Sequence, residues 1–116
     1  IRVIIYGAGS AGRQLSIALM QSVEYMPVAF IDDNSQLQRQ YIHGIEVFSR
    51  KDLIHLIEQK NATEVLLAMP AISRIQRNEI IHYLEPYQIL VRSLPGVSEL
   101  AQGKVKVADL GEIDVG

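Results

Sequence analysis

Three glycines, Gly7, Gly9 and Gly12, stand in the opening stretch IRVIIYGAGSAGRQL at the spacing G-x-G-x-x-G. Where a strand runs into a helix, a first glycine permits the tight turn, a second lets a pyrophosphate approach the backbone, and a third lets the helix pack close to the strand. The backbone of Ala8, Ser10 and Ala11, with the positive end of the helix dipole, then offers an anion site that needs no charged side chain. Arg13 follows the last glycine; it either reaches a phosphate from the first turn or lies in solvent. Asp32 comes 20 residues beyond Gly12, the offset at which an acid accepts the hydroxyls of a ribose. Such spacing also arises by chance, so the surrounding elements decide what it means.

Those elements alternate. Arg2 to Tyr6 is a short β-branched run of the kind buried on both faces of a sheet. From Ser10, Ala11, Leu15, Ala18 and Leu19 recur at helical spacing. Pro27 to Ile31 reads as a second strand that ends in Asp32-Asp33-Asn34, so strand, helix and strand fit within about 30 residues. Gly44 to Phe48 reads as a short third strand, and Leu53, Ile54, Leu56 and Ile57 give a second helix its apolar side. Glu64 to Met69 is a fourth strand closed by Pro70. Ser73 and Gln76 form a capping box for a helix through Ile80, Ile81 and Leu84 that Pro86 ends. Gln88 to Arg92 supplies a fifth strand. The expected architecture is α/β in three layers, a five-stranded parallel sheet covered on both faces. A short helix around Val97 to Ala101 and an extra strand over Lys104 to Val107 could complete the ordered part.

In that frame the glycine loop and the acid at the end of the second strand fall on one edge of the sheet, where open α/β sheets bind ligands. Two adjacent carboxylates, Asp32 and Asp33, would repel a 2′-phosphate, which favours NAD over NADP. Ser73 and Arg74, just past the fourth strand, share the same edge and join the candidate residues, although capping alone explains Ser73. The competing reading is that the glycines serve only close helix packing and that Asp32 to Asn34 is ordinary turn chemistry.

Other chemistry finds less support. The chain has no cysteine, which excludes disulfides, thiolate zinc sites and a cysteine nucleophile. Glu79-Ile80-Ile81-His82 is half of a di-iron carboxylate motif, but the second half and two further glutamates are missing, and His43 and His55 have no evident metal partners. No metal site is expected. A net charge of -2, with 11 Lys and Arg spread without a block, argues against a nucleic-acid partner. No apolar run approaches the ~18 residues of a membrane span. The 116 residues begin at Ile1 rather than Met, as expected of a piece of a longer protein with room here for one domain.

With the glycine loop, FIDDN, IHGIEVF, EVLLAMPAISR and VRSLPGVSEL in order, the chain resembles the cytoplasmic Rossmann-like domain of membrane-anchored nucleotide-sugar 4,6-dehydratases and 4-dehydrogenases of bacterial capsule and O-antigen synthesis. The run LPGVSELAQGKVKVADLGEIDV is the most specific part, because in that family a similar segment leads into the catalytic domain. The resemblance implies a nucleotide-binding domain over residues 1–96 and an extension over 97–116 that leads to a catalytic domain outside this chain. It implies attachment to the inner membrane only through other segments, and it is compatible with a homo-oligomer. The parent enzyme would oxidise a UDP-sugar at C4 with bound NAD(P), using a Tyr-x-x-x-Lys pair whose lysine lowers the tyrosine pKa. Here the residues four places after Tyr6, Tyr25, Tyr41, Tyr83 and Tyr87 are Ser10, Ala29, Ile45, Tyr87 and Val91. No catalytic residue is therefore expected in this chain.

Two other families share the glycine loop. One is the redox-sensing NAD domain of winged-helix transcriptional repressors; the other is the nucleotide-sugar-binding domain at the start of sugar acyltransferases. Flanking sequence separates the three: transmembrane helices or a winged helix before Ile1, or hexapeptide repeats after Gly116.

Overall fold

The computed structural model of the chain describes residues 1–93 together with the backbone of Gly111–Glu112. The elements run β1 (Arg2–Tyr6), α1 (Ser10–Met20), β2 (Met26–Ile31), β3 (Tyr41–Ile42), β4 (Ile45–Phe48), a 3-10 turn (Arg50–Asp52), α2 (Leu53–Gln59), β5 (Glu64–Leu67), α3 (Arg74–Leu84), a second 3-10 turn (Glu85–Tyr87), β6 (Leu90–Ser93) and β7 (Gly111–Glu112). The sheet order is β3-β4-β2-β1-β5-β6-β7. Its five inner strands are parallel, as expected, and β3 and β7 pair antiparallel on the two outer edges. This is a Rossmann-like fold.

Alternation along the strands builds a core on each face. Ile4, Tyr6, Ala29, Ile31, Val65, Leu67 and Val91 face α2 and α3 and pack on Leu53, Leu56, Ile80 and Leu84. Val3, Ile5, Phe30, Val47 and Leu66 point the other way, onto Leu15 and Leu19 of α1. At the centre of the sheet, Val3 to Tyr6 of β1 and Ala29 to Ile31 of β2 are buried on both faces, so these runs are continuously apolar and give no alternation of polarity.

Differences from the expected boundaries have local causes. Strand β4 starts at Ile45 because His43 and Gly44 both take positive φ, 52° and 78°, and form the two-residue turn of a β3-β4 hairpin. Between β1 and β2, Ile4 pairs with Ala29 where Val3 pairs with Pro27, so Val28 is skipped. This is the bulge expected where proline cannot donate to the ladder. Strand β5 stops at Leu67, although Ala68 still donates to the Tyr6 carbonyl at 2.8 Å. Strand β6 begins at Leu90 because Gln88 takes a left-handed φ of 53° to end the preceding turn. The helix expected at Val97 to Ala101 and the strand expected at Lys104 to Val107 lie outside the described residues. Strand β7 comes later, with Ser93 opposite Gly111 and Arg92 opposite Glu112.

The sheet order reverses at β1, whose neighbours are β2 on one side and β5 on the other. The loops that follow β1 and β5 therefore diverge to opposite faces and leave a crevice at the carboxyl edge.

Candidate functional site

The glycines divide into two structural and one that packing does not require. Gly7 has φ +117°, and a Cβ there would lie 2.7 Å from Met69 Cγ and 2.8 Å from the Ala68 carbonyl oxygen. A Cβ on Gly12 would overlap the Gly7 carbonyl oxygen and lie 3.4 Å from Ile5 Cγ2. These two hold α1 against β1 and β5. Gly9 is different: a Cβ there would meet nothing within 4 Å, and φ is -83°. It is also the N-cap of α1, a position that serine, aspartate or asparagine would fill better, and no side chain caps the helix. Neither sterics nor backbone strain nor capping asks for glycine at position 9, so the first-turn N–H groups face an opening that a side chain would narrow.

That opening is a cavity of about 620 Å³, within the usual range for ligand sites. Its walls are the glycine loop, Gln14 on α1, the Ala68 to Ile72 stretch after β5, and Gln76 on α3. Among the described residues that line it, Asp32 carries the one charge. Its Oδ2 accepts from the Ala8 N–H at 2.8 Å and its Oδ1 from the Asn34 N–H at 2.8 Å. Each oxygen keeps a further lone pair for a hydroxyl donor, and the carboxylate is fixed by two backbone bonds. The Ala8 N–H is engaged by Asp32, so among the loop amides an anion is left those of Gly9 and the first turn of α1.

Asp33 stands on the other side of the sheet. Successive residues of an extended chain point to opposite faces, and Asp33 accepts the Tyr6 hydroxyl at 2.9 Å, Arg50 Nε at 3.1 Å and Arg50 Nη2 at 2.8 Å. Arg50 also reaches Glu79 at 2.7 and 3.1 Å and lies over the Tyr83 ring, 4.8 Å from its centroid. Burial works to raise the Asp33 pKa, but the hydrogen bonds from Arg50 and Tyr6 and the charge of Arg50 outweigh it and hold the carboxyl below its ordinary value. Burial, then the Asp33 carboxylate, raises the Tyr6 pKa well above the ordinary phenol value. The two adjacent acids expected beside the ligand are thus one acid at the cavity and one in an ion-pair network behind it.

The remaining expected residues are dispersed. Arg13 is exposed and donates from Nε to the Ala8 carbonyl at 3.1 Å. It lines a second cavity of about 580 Å³ on the outer flank of α1, with Ile17, Leu37 and His43. Ser73 caps α3 by accepting from the Gln76 N–H at 3.1 Å, and neither Ser73 nor Arg74 lines either cavity. Residues that sequence reasoning did not count as part of the site take their place: Gln14, Gln76, and Met69 to Ile72. Pro70 carried a signal, since a proline directly after the fourth strand sets the loop that forms the apolar wall. Glu79 pairs with Arg50, and His82 lies 3.4 Å from Glu85 rather than beside Glu79.

No family model matches the chain. Among curated proteins it is 22% identical over 116 residues to the capsular polysaccharide biosynthesis protein CapD of Staphylococcus aureus, covering 97% of this chain and 19% of that protein. The chain thus spans about a fifth of that relative's length. Among solved structures, a Rex-family repressor in complex with β-NADH aligns over 83% of this chain and 46% of its own at 21% identity, with a TM-score of 0.64, which is a likeness of fold. UDP-D-quinovosamine 4-dehydrogenase from Vibrio fischeri aligns over 97% of this chain and 93% of the solved chain, at 38% identity and a TM-score of 0.88. With that identity over nearly the whole of both chains, this chain belongs to the same family as the Vibrio fischeri UDP-D-quinovosamine 4-dehydrogenase chain.

Proposed function

We infer that this chain is the accessory nucleotide-binding domain of a UDP-sugar dehydratase or 4-dehydrogenase of polysaccharide biosynthesis. It carries no catalytic residue of its own, and residues 97–116 connect residues 1–96 to a catalytic domain outside this chain. Its ligand is an adenine dinucleotide, NAD in preference to NADP. The phosphates lie over Gly9 and the uncapped first turn of α1, and a ribose diol donates to Asp32. One observation carries this reading: Gly9 is the glycine that neither packing nor backbone conformation requires. The names of the two relatives support the nucleotide-sugar context, and the solved NADH complex of a similar fold supports a nicotinamide nucleotide. A non-catalytic role is supported by the lack of any Tyr-x-x-x-Lys pair. The buried Tyr6 hydroxyl, held by Asp33, keeps its proton too tightly to serve as a base.

Calorimetry of the purified chain with NAD and with NADP tests the reading, alongside a turnover assay on UDP-sugars. NAD binding tighter than NADP without turnover is the expected result. Turnover by the chain alone would overturn the non-catalytic role, and no binding of either dinucleotide at millimolar concentration would overturn the dinucleotide reading.

A further inference from the structure

Gln14 is the residue of the site whose chemistry the packing leaves unmet. Its Oε1 is shut off from solvent and has no hydrogen-bond partner among the described residues. The two other side-chain atoms in that condition, Glu64 Oε2 and Arg92 Nε, at least face each other as an ion pair at 3.4 Å. Gln14 has no opposite charge of that kind. A buried carbonyl without a donor is a cost to the fold, and leucine, with nearly the same helix propensity, would fill the place without it.

The position of Gln14 offers a reason. The cavity that holds Asp32 and the cavity on the outer flank of α1 have three lining residues in common, Gly9, Ser10 and Gln14. Gly9 has no side chain to obstruct the way between them, and Gln14, on α1, lines both. The two cavities also differ in charge. The first carries Asp32, and the second carries Arg13 and His43. Ser16 gives its hydroxyl proton to the Arg13 carbonyl at 2.7 Å, so in its 3.0 Å contact with His43 Nδ1 it accepts. That fixes a proton on Nδ1 and leaves Nε2 as the His43 nitrogen available to a ligand. A ligand that uses both cavities therefore has two chemically different ends and passes over Gly9 beside Gln14.

We propose that Gln14 is a ligand-binding residue whose carboxamide turns from its unmet position so that Nε2 donates to the central diphosphate of a ligand filling both cavities, while Oε1 leaves its closed site and accepts from water. The ligand class is a nucleoside diphosphate that carries a second group on its outer phosphate. Both a dinucleotide and a nucleotide-sugar meet that description. The proposal rests on the reading of the glycine loop as a nucleotide site.

The test compares wild type with Gln14→Leu by calorimetry against NAD, UDP-N-acetylglucosamine, AMP and UMP, with thermal melts of both proteins without ligand. In the wild type, one of the two-ended ligands should bind at least tenfold more tightly than its own mononucleotide, and which one does so identifies the source. Gln14→Leu should lose most of that advantage while its ligand-free melting temperature rises by about 4 °C or more, as expected when an unmet buried polar atom is removed from a small domain. If Gln14→Leu binds within twofold of wild type, the assignment of Gln14 is overturned and the glycine-loop reading stands. If the mononucleotides bind as tightly as the two-ended ligands, the two-cavity ligand is overturned. If wild type binds none of the four, both the glycine-loop reading and this inference fall.

Discussion

The carboxylate of Asp32 accepts a hydrogen bond from the Ala8 N–H at 2.8 Å, so the end of β2 is tied to the glycine loop before any ligand arrives. The acid is thereby oriented in advance, and its free lone pairs cost little to use. Replacing it has two effects, on the ligand and on the loop. Asp32→Ala should weaken NAD binding by about 1–3 kcal/mol, the range for a hydrogen bond to a charged group. Calorimetry at one temperature measures that loss, and a melt of the ligand-free variant measures the share due to the loop.

If the proposed dinucleotide site is right, the geometry of Asp33 leaves cofactor discrimination to Asp32 alone. Asp33→Ala should leave the ratio of NAD to NADP affinity within about twofold, whereas Asp32→Ala should move it by at least tenfold, about 1.4 kcal/mol. Paired titrations of the two dinucleotides give the ratio directly. A comparable change in both variants would place the second carboxylate near the ligand.

Gly9→Ala and Gly12→Ala should separate binding from folding. Gly9 has a negative φ and open space at its Cβ position, so alanine there should shift the melting temperature by only a few degrees while NAD affinity falls at least tenfold, about 1.4 kcal/mol. Alanine at Gly12 would press on the Gly7 carbonyl, which is backbone and cannot swing aside. A loss of roughly 1–3 kcal/mol of stability, or more, is expected from such overpacking. Urea melts of both variants and titrations of whichever remains folded decide the matter.

The ion-pair network behind the site should show in the pH dependence of stability. The pKa of Asp33 is lowered in the folded chain, so its contribution is fully present above the ordinary carboxylate range, about pH 4, and is lost as pH falls through the folded value. Urea denaturation from pH 6 downward should therefore fall more steeply for wild type than for Asp33→Asn. Arg50→Met should cost roughly 1–3 kcal/mol at neutral pH, since it leaves a part-buried carboxylate with one donor fewer on each oxygen. It should not change NAD affinity, because Arg50 lines neither cavity.

Much of this arrangement is written in local patterns. The run Arg2 to Tyr6, the glycine loop and the Ser73–Gln76 capping box each depend on residues within a few positions of one another, and each stands in the structure as the spacing suggests. The contrary orientations of Asp32 and Asp33 were missed, although alternation along an extended chain sends neighbours to opposite faces. The turn-like appearance of Asp-Asp-Asn obscures it. Arg50 was not legible. Its partners lie 17 and 29 residues away, and only the pairing of β4 with β2 and the packing of α3 on the sheet bring them together. Strand β3 is two residues long, too short for any periodicity, and His43-Gly44 was its one trace. Gln14 sits at an ordinary helical position, and only its unmet oxygen in the folded chain distinguishes it.

Strands β3 and β7 have a consequence for the behaviour of this domain in concentrated solution. A parallel sheet that ended on β4 and β6 would present two rows of unpaired amides and carbonyls, ready templates for strands of other molecules. Among the described residues, each row is instead met by an antiparallel segment of two residues. A stub of that length gives an incoming chain too few hydrogen bonds to hold its register, so these borders discourage the strand-by-strand growth by which exposed sheets aggregate.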